Sequence, residues 1–281
     1  MRDPRRVLVS AVLLMSLVGC GAAVVPQIHN DSERMSVARR MYDKGDYAIA
    51  AEILTPYISS AAGSADVDEA IYLLGLSHLK AKDWAGAQAD FQRLQRDYPE
   101  SDSAQSGAFR LGEAYFGQSR GPDFDQEHTL KALEQWMSYR RDFPEHWLAS
   151  QAQARIAECR ARLATKLYRT GDLYVKLKEY EPARTYFKNI MTQYSDTPIY
   201  GDAILGMAVA DARLGHRDTA LVILKSLEEE FAGRPLAERA AKTRTMIMGW
   251  PAVVRAPKRR AEPNEPPPPA AQPGAGAGIN P

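Results

Sequence analysis

Side chains that could carry out catalysis are few in this sequence and widely spaced. Gly75-Leu76-Ser77 begins like the motif that exposes a nucleophilic serine, but the second glycine is missing and the surrounding pattern is helical. The segment GAGAG follows no strand pattern, so it does not indicate a nucleotide-binding loop. We therefore expect no enzymatic activity. The histidines show neither metal-site spacing nor an HExxH motif, and they are His29, His78, His128, His146 and His216.

The two cysteines differ in their surroundings, and two are too few for a disulfide framework. Cys159 lies in the helical pattern QAQARIAECRARLA, which favours a small buried hydrophobic residue. Cys20 follows a basic start, MRDPRR, and an apolar run, VLVSAVLLMSLVG. This run is shorter than the roughly 20 residues of a membrane span. Its length and its basic flank are typical of a signal peptide.

Residues 17–20, LVGC, resemble the lipobox of bacterial lipoproteins. The resemblance implies a signal peptide over residues 1–19 and a Cys20 that carries an S-diacylglyceryl group and an N-acyl chain. Several acyl chains hold a protein durably at a membrane. Gly21, in place of an aspartate, implies export to the outer membrane. An ordinary signal peptide with an incidental cysteine is the alternative, and no cofactor is expected beyond the lipid.

Charge and composition exclude other classes of protein. The formal net charge is +1 with the two signs interspersed, so we expect no nucleic-acid partner, which would require a clustered basic face.

Residues 20–33 are predicted to form a flexible tether. Residues 251–281 are rich in proline and poor in apolar side chains, and we predict that this tail is disordered.

A fivefold repeat organises the region between the tether and the tail. Each repeat has a small residue followed by apolar residues at offsets of 4, 7 and 11, which mark one face of a helix, and all of these are large except Ala61 at offset 11 of the first repeat. A second small residue lies in a preceding helix. Small residues let paired helices approach closely, and the large ones fill the gaps between pairs. The small residues that begin the offset pattern are Ala50, Ala87, Ala132, Ala183 and Ala220. The small residues of the preceding helices are Ala38, Gly75, Gly112, Gly171 and Ala208.

The repeat is similar to the tetratricopeptide repeat, a helix–turn–helix unit of about 34 residues. We predict an all-α, superhelical solenoid of five such repeats, with one long helix over residues 147–178 in the fourth and a cap helix at 235–248. A plain helical bundle is the alternative. The predicted repeats cover residues 34–62, 68–99, 105–144, 147–195 and 199–232, and together with the cap they form a domain over residues 34–250.

The region 30–250 resembles the BamD family of lipoproteins, the tetratricopeptide-repeat component of the β-barrel assembly machine. The matching features are an insertion with Asp125-Gln126-Glu127-His128-Thr129, a Phe143-Pro144 close, and a long helix with Arg160, Arg162, Leu163 and Ala164. The chain departs from the family pattern at Tyr194-Ser195-Asp196-Thr197-Pro198 and in its tail.

The resemblance implies an outer-membrane-anchored scaffold that faces the periplasm. Its partners would be the POTRA domains of a BamA-like barrel, other Bam lipoproteins and unfolded outer-membrane protein clients. The repeat register places the candidate client-binding residues on the inner side of the first helices, and they are Arg39, Tyr42, Tyr72, Leu76, Phe109, Glu113 and Phe116. The candidates for docking onto BamA are Arg213, His216 and Arg217.

Two other roles remain open at this point. One is a lipoprotein for secretin or pilus assembly, which would lack the insertion and the long helix. The other is a coordinator of cell-wall synthesis or division, which an added coiled coil or peptidoglycan-binding domain would favour.

Overall fold

The computed structural model describes Ile28, residues 31–60 and residues 64–251. The predicted signal peptide, Cys20 and all of the tail after Pro251 lie outside these described residues. Within them the chain forms eleven helices and no strand. The helices are α1 (Asp31–Lys44), α2 (Tyr47–Ser60), α3 (Val67–Lys80), α4 (Trp84–Asp97), α5 (Asp102–Gln118), α6 (Glu127–Asp142), α7 (Ala149–Lys176), α8 (Tyr180–Gln193), α9 (Tyr200–Arg213), α10 (Arg217–Glu230) and α11 (Pro235–Met248).

The helices form five consecutive pairs, from α1/α2 to α9/α10, and α11 follows as the cap. The predicted all-α fold of tetratricopeptide-like pairs is confirmed, including the long helix α7 with its 28 residues. Helix α1 begins at Asp31, so residues 31–33 belong to the first helix and not to the predicted tether. Glu33 in its first turn favours this earlier start through the helix dipole. The chain divides into two compact units, with the boundary inside α9 between Met207 and Ala208.

Helix ends follow local chemistry. The Asp83 side chain accepts a hydrogen bond of 3.0 Å from the Gly86 amide at the start of α4, and Ser101 caps α5 in the same way. Tyr98 and Phe143 are the last capping residues of α4 and α6, and a proline follows each of them. Because proline lacks the amide donor that would continue a helix, the two aromatic–proline pairs end these helices as predicted.

The turn inside four of the five pairs uses one residue with left-handed backbone geometry. This residue is Gly45 (φ 89°) in the first pair and Gly215 (φ 88°) in the fifth, but it is Lys82 (φ 62°) and Lys178 (φ 64°) in the second and fourth. In each pair the next residue's amide bonds back to a carbonyl five positions earlier, as from Asp83 to the carbonyl oxygen of His78 at 2.9 Å. The third pair has no such turn because residues 119–126 are inserted between α5 and α6.

Aromatic side chains of the second helices lie on glycines of the first helices. A Cβ added at Gly75 would lie 2.6 Å from the Phe91 ring, and one at Gly171 would lie 2.8 Å from the Phe187 ring. The Phe187 ring also faces Gly206 of the next first helix, where an added Cβ would lie 2.5 Å away. The small residues therefore allow close approach both within and between pairs, as the repeat pattern predicts.

Candidate binding faces

The first helices α1, α3, α5 and α7 carry one row of polar and aromatic side chains, which we call the first-helix face. An ion pair between Arg39 of α1 and Glu69 of α3 starts the row. In α5, the Arg110 guanidinium donates to the Tyr72 hydroxyl at 3.5 Å and to Glu113 at 2.8 Å. Side-chain ion pairs and hydrogen bonds in this row therefore connect the first helices of successive repeats.

The row continues onto the long helix. Arg155 of α7 lies 3.7 Å from the second Glu113 oxygen, and it also pairs with Glu158 at 3.0 Å. Burial lowers the pKa of Arg110, but the neighbouring Glu113 carboxylate and the Tyr72 hydroxyl outweigh it and raise that pKa overall. Arg110 is consequently a fixed positive charge between α3 and α7. Such partly buried, hydrogen-bonded charges keep a defined geometry and can bind a peptide backbone.

The predicted aromatic residues of this face differ in exposure. Tyr42 and Tyr72 are partly buried, and the Tyr42 ring packs edge-on against Tyr47 at 5.4 Å. Burial, followed by the neighbouring Tyr47, raises the pKa of Tyr42, so this hydroxyl remains a neutral donor. Leu76 is also partly buried and packs beside Phe91.

Phe109 is a correction to the predicted set because its side chain is completely buried. Its ring packs against Trp136 at 6.1 Å and Tyr139 at 5.7 Å, both from α6. Phe109 is therefore a core residue through which α5 packs against α6. Phe116 is partly buried, and the Arg162 guanidinium lies 4.1 Å from its ring centroid.

Two surface depressions lie near the two ends of α5. The depression at the start of α5 is lined by Tyr72 and serines together with four carboxylates, those of Asp66, Asp68, Glu69 and Asp102. The depression at the end of α5 is mainly apolar and is lined by Leu79, Trp84, Phe116 and Trp136, with Lys80, Glu113 and Arg155 beside them. The first-helix face thus offers charged and aromatic contacts at separate places, an arrangement that suits an extended chain.

The inserted segment 119–126 is fixed onto the long helix α7. Arg162 donates to the Ser119 hydroxyl at 2.9 Å, Lys166 donates to the Phe124 carbonyl at 2.5 Å, and Arg169 pairs with Asp123. These three basic residues lie on one side of α7 because they are spaced by four and three positions. The insertion that the sequence singled out is therefore an ordered part of the first unit.

Gln126 organises the insertion from inside. Its side-chain amide donates to the carbonyls of Gly121 (2.9 Å) and Phe124 (3.1 Å), and its oxygen accepts from the Thr129 hydroxyl at 2.8 Å. Gln126 is 5% exposed and Thr129 is fully buried. Both polar atoms of the Gln126 side chain thus have hydrogen-bond partners, as buried amides generally do.

The second unit places two of the three predicted docking residues on one tryptophan. The Arg213 guanidinium lies 3.6 Å from the Trp250 ring centroid, and Arg217 donates to the Trp250 carbonyl at 3.0 Å. His216 directly precedes Arg217, and its Nδ1 atom lies 3.5 Å from a carboxylate oxygen of Asp211. Sequence reasoning missed Trp250. The only available signal was an aromatic residue immediately before Pro251, at the end of the cap.

The described residues hold no cluster of three or more histidine, cysteine or acidic side chains placed to bind a metal ion. None of the described helices has the length and apolar character needed to cross a bilayer. Cys159 is buried as predicted and forms no disulfide within the described residues, and burial raises the pKa of its thiol to about 12. Its thiol is therefore protonated at neutral pH and is unreactive.

Comparison with known proteins gives one family and several structures. Residues 77–223, just over half of the chain, match the YfiO family, described as an outer membrane lipoprotein. A tetratricopeptide-repeat protein from Parabacteroides merdae is 18% identical, and the match covers 78% of this chain and 73% of that one with a TM-score of 0.34. A thermophilic tetratricopeptide-repeat protein from Thermus thermophilus is 20% identical, with coverage of 76% and 98% and a TM-score of 0.35.

Proposed function

Because the chain belongs to the YfiO family of outer membrane lipoproteins, we propose that it is a scaffold of the β-barrel assembly machine. In this proposal, lipid on Cys20 anchors the chain at the outer membrane, and the repeats face the periplasm. Residues 17–20, LVGC, and the family together support the anchor. The role is one of binding and positioning, without catalysis.

The first-helix face is the proposed site for unfolded outer-membrane protein clients. The observation that carries this assignment is the side-chain row from Tyr72 through Arg110 and Glu113 to Arg155, which crosses three first helices. An extended client could bond its backbone to these fixed charges and place apolar side chains beside Phe116. Arg39, Tyr42 and Leu76 extend the same site toward the amino terminus. Phe109 contributes only through the core.

The second unit is the proposed docking site for the POTRA domains of a BamA-like barrel. Arg213 and Arg217 both contact Trp250, and His216 directly precedes Arg217 in the chain, so the three residues are proposed as one docking surface. Arginine and tryptophan are enriched among residues that dominate binding energy at protein interfaces. Other Bam lipoproteins are further proposed partners of the assembly.

The first experiment is a pull-down of the tagged, lipidated protein from gently solubilised membranes, followed by mass spectrometry. We expect a stoichiometric outer-membrane barrel that carries POTRA domains. Recovery of a secretin or of cell-wall enzymes without that barrel would instead support a role in secretin assembly or cell-wall coordination.

Client binding is tested separately with a labelled peptide that has the sequence of the last strand of an outer-membrane barrel. Replacing Tyr72→Ala together with Phe116→Ala should weaken peptide binding by about tenfold, because aromatic anchors dominate such interfaces. Tyr186→Ala is the matched control, since Tyr186 is also partly buried but lies on the second helix α8. Helicity measured by circular dichroism should stay unchanged. An unaltered affinity in the double variant would remove the client site from this face.

A further inference from the structure

A third depression lies on the side of α7 that faces away from the first-helix face. Ile156 and Arg160 of α7 line it together with Met137, Arg140 and Arg141 from the last turns of α6. Arg155, Glu158 and Arg162 of the first-helix face follow a separate stripe of α7. The two stripes lie about 150° apart around the helix axis, at 3.6 residues per turn. A ligand in this depression would not compete with one on the first-helix face.

One edge of the depression is built by a fixed ion pair. Arg160 donates to both oxygens of Asp196, at 2.8 Å and 2.6 Å, and to the Gln193 carbonyl at 2.6 Å. The hydrogen bond from Arg160 lowers the pKa of Asp196, so the carboxylate stays ionised and the pair stays intact. Arg160 and Asp196 therefore neutralise each other and contribute shape more than charge.

The opposite edge carries positive charge that the chain neutralises only in part. Arg141 pairs with the adjacent Asp142 at 2.9 Å, and its side chain is 73% exposed. Arg140 contacts the neutral amide oxygen of Gln153 and forms no ion pair with any of the residues that the structure describes. The exposed α6 edge consequently has an excess of guanidinium charge.

Apolar surface lies between these two edges. Met137 is 54% exposed and forms a wall, while Ile156 is only 7% exposed and forms part of the floor. A methionine wall adapts to different apolar side chains because its thioether is flexible and polarisable. The depression thus combines a recessed apolar contact with an exposed cationic edge.

We propose that this depression docks an acidic, amphipathic segment of a partner protein. Its carboxylates would pair with Arg140 and Arg141, and one apolar side chain would enter between Met137 and Ile156. The recessed position of Ile156 favours an inserted side chain over the flat surface of a membrane. The proposal adds a second interaction surface to the first unit and does not depend on the client site.

The test uses the full mature chain and a fluorescein-labelled, helix-forming peptide that carries glutamates and leucines on one face. Fluorescence anisotropy should show binding that weakens with salt, as charge pairing requires. A counterpart with glutamines in place of glutamates should bind more weakly. Vesicles that contain phosphatidylglycerol serve as the membrane comparison.

Charge reversal at Arg140→Glu with Arg141→Glu should weaken peptide binding by at least about tenfold. Arg93→Glu with Arg96→Glu is the matched control, because both residues are exposed on the second helix α4 and the change in net charge is the same. The control should bind like the unmodified chain. Met137→Ser keeps every charge and should weaken binding by about threefold or more through lost apolar contact.

Three results would overturn the proposal. The unmodified chain could fail to bind the glutamate peptide, or the α4 control could lose as much affinity as the α6 variant, which would indicate a response to net charge alone. Binding to the vesicles that depends on Arg140 and Arg141, without binding to the peptide, would assign the surface to the membrane.

Discussion

The Phe91 ring lies so close to Gly75 that a Cβ added at Gly75 would come within 2.6 Å of the ring. The contact joins the two helices of one pair, and Phe91 is fully buried. Because the Phe91 ring is completely buried, it cannot move away from an added methyl group without displacing neighbouring side chains. The same relationship recurs between Gly112 and Trp136, where the added Cβ would lie 2.5 Å from the indole nitrogen.

Gly75→Ala should therefore destabilise the fold, although alanine is the better helix former. We expect a loss of about 1–3 kcal/mol in the free energy of unfolding, the usual cost of overpacking a core. Urea denaturation followed by circular dichroism measures the loss. Gly121→Ala is the control, because no atom of the part of the chain that the structure describes lies within 4 Å of a Cβ added at Gly121. Equal stability of the two variants would contradict the packing argument.

The helix pairs and their packing register could be predicted because their signals are local. The offset of four residues between Ala87 and Phe91 places both on one side of α4, and helix periodicity follows directly from sequence. Contacts that join distant segments had no such signal. Arg213 and Arg217 meet Trp250 only because α11 folds back over α10, which no periodic pattern records.

The status of Phe109 shows the limit of register arguments at a candidate site. A first helix packs against its own partner helix and against neighbouring repeats. Fewer of its inner-side residues therefore reach the surface than a helical wheel indicates. Phe109 is completely buried beside Trp136 and Tyr139 of α6, while Glu113, one turn further along α5, remains partly exposed. Periodicity identifies the side of a helix, and tertiary packing decides which of its residues reach the surface.

Replacing Lys82 or Lys178 by glycine should raise the stability of the fold. Both hold left-handed backbone geometry at the turn position where the first and fifth pairs have glycine. That geometry costs a residue with a side chain roughly 1–2 kcal/mol, and the entropy that glycine recovers on unfolding offsets about 0.4–1 kcal/mol of it. Lys82→Gly should thus raise the free energy of unfolding by about 0.5–1 kcal/mol.

Urea denaturation is the measurement for this turn, and Lys178→Gly should give a gain of the same sign. Lys80→Gly is the control because Lys80 is helical. That control should lose about 1 kcal/mol through lower helix propensity. A loss of stability in Lys82→Gly would show that the lysine makes a compensating interaction at the turn.

His78 predicts a specific dependence of stability on pH. A hydrogen bond of 2.7 Å to Asp90, which outweighs the effect of burial, raises the pKa of His78 above its ordinary value of 6.5. The folded state therefore holds a proton that the unfolded chain has already released. The stabilisation is complete below pH 6.5 and is lost as pH rises through the folded-state pKa of His78.

The measurement compares the unmodified chain with Asp90→Asn by urea denaturation at several pH values. The stability difference between them should shrink as pH rises through this window. His146 has a pKa lowered chiefly by burial, so its contribution has the opposite sign and is lost as pH falls below 6.5. Both proteins keep His146, and the difference between them isolates His78. A difference that does not vary with pH would exclude the His78–Asp90 pair as the cause.

We expect the buried Gln126 side chain to keep the inserted segment 119–126 ordered. Gln126→Ala would remove one hydrogen bond from each of the Gly121 and Phe124 carbonyls and one from the buried Thr129 hydroxyl. These groups keep other partners, which are the Phe124 amide, Lys166 and Ser119. A lost hydrogen bond costs about 0.5–1.5 kcal/mol, so the loss of three should make residues 121–126 open more often. Hydrogen exchange should accelerate at their amides by about tenfold or more, while the amides of α4 keep their rates.

Glu127→Ala is the control for this variant, because Glu127 is 64% exposed and, among the described residues, forms an ion pair only with Lys131 on its own helix. Removing an exposed pair of this kind changes stability by about 0.5 kcal/mol or less, so exchange in the insertion should be unaffected. If Gln126→Ala exchanged like this control, the contacts of Arg162, Lys166 and Arg169 from α7 would be sufficient to order the insertion. The order would then come from the long helix and not from the buried amide.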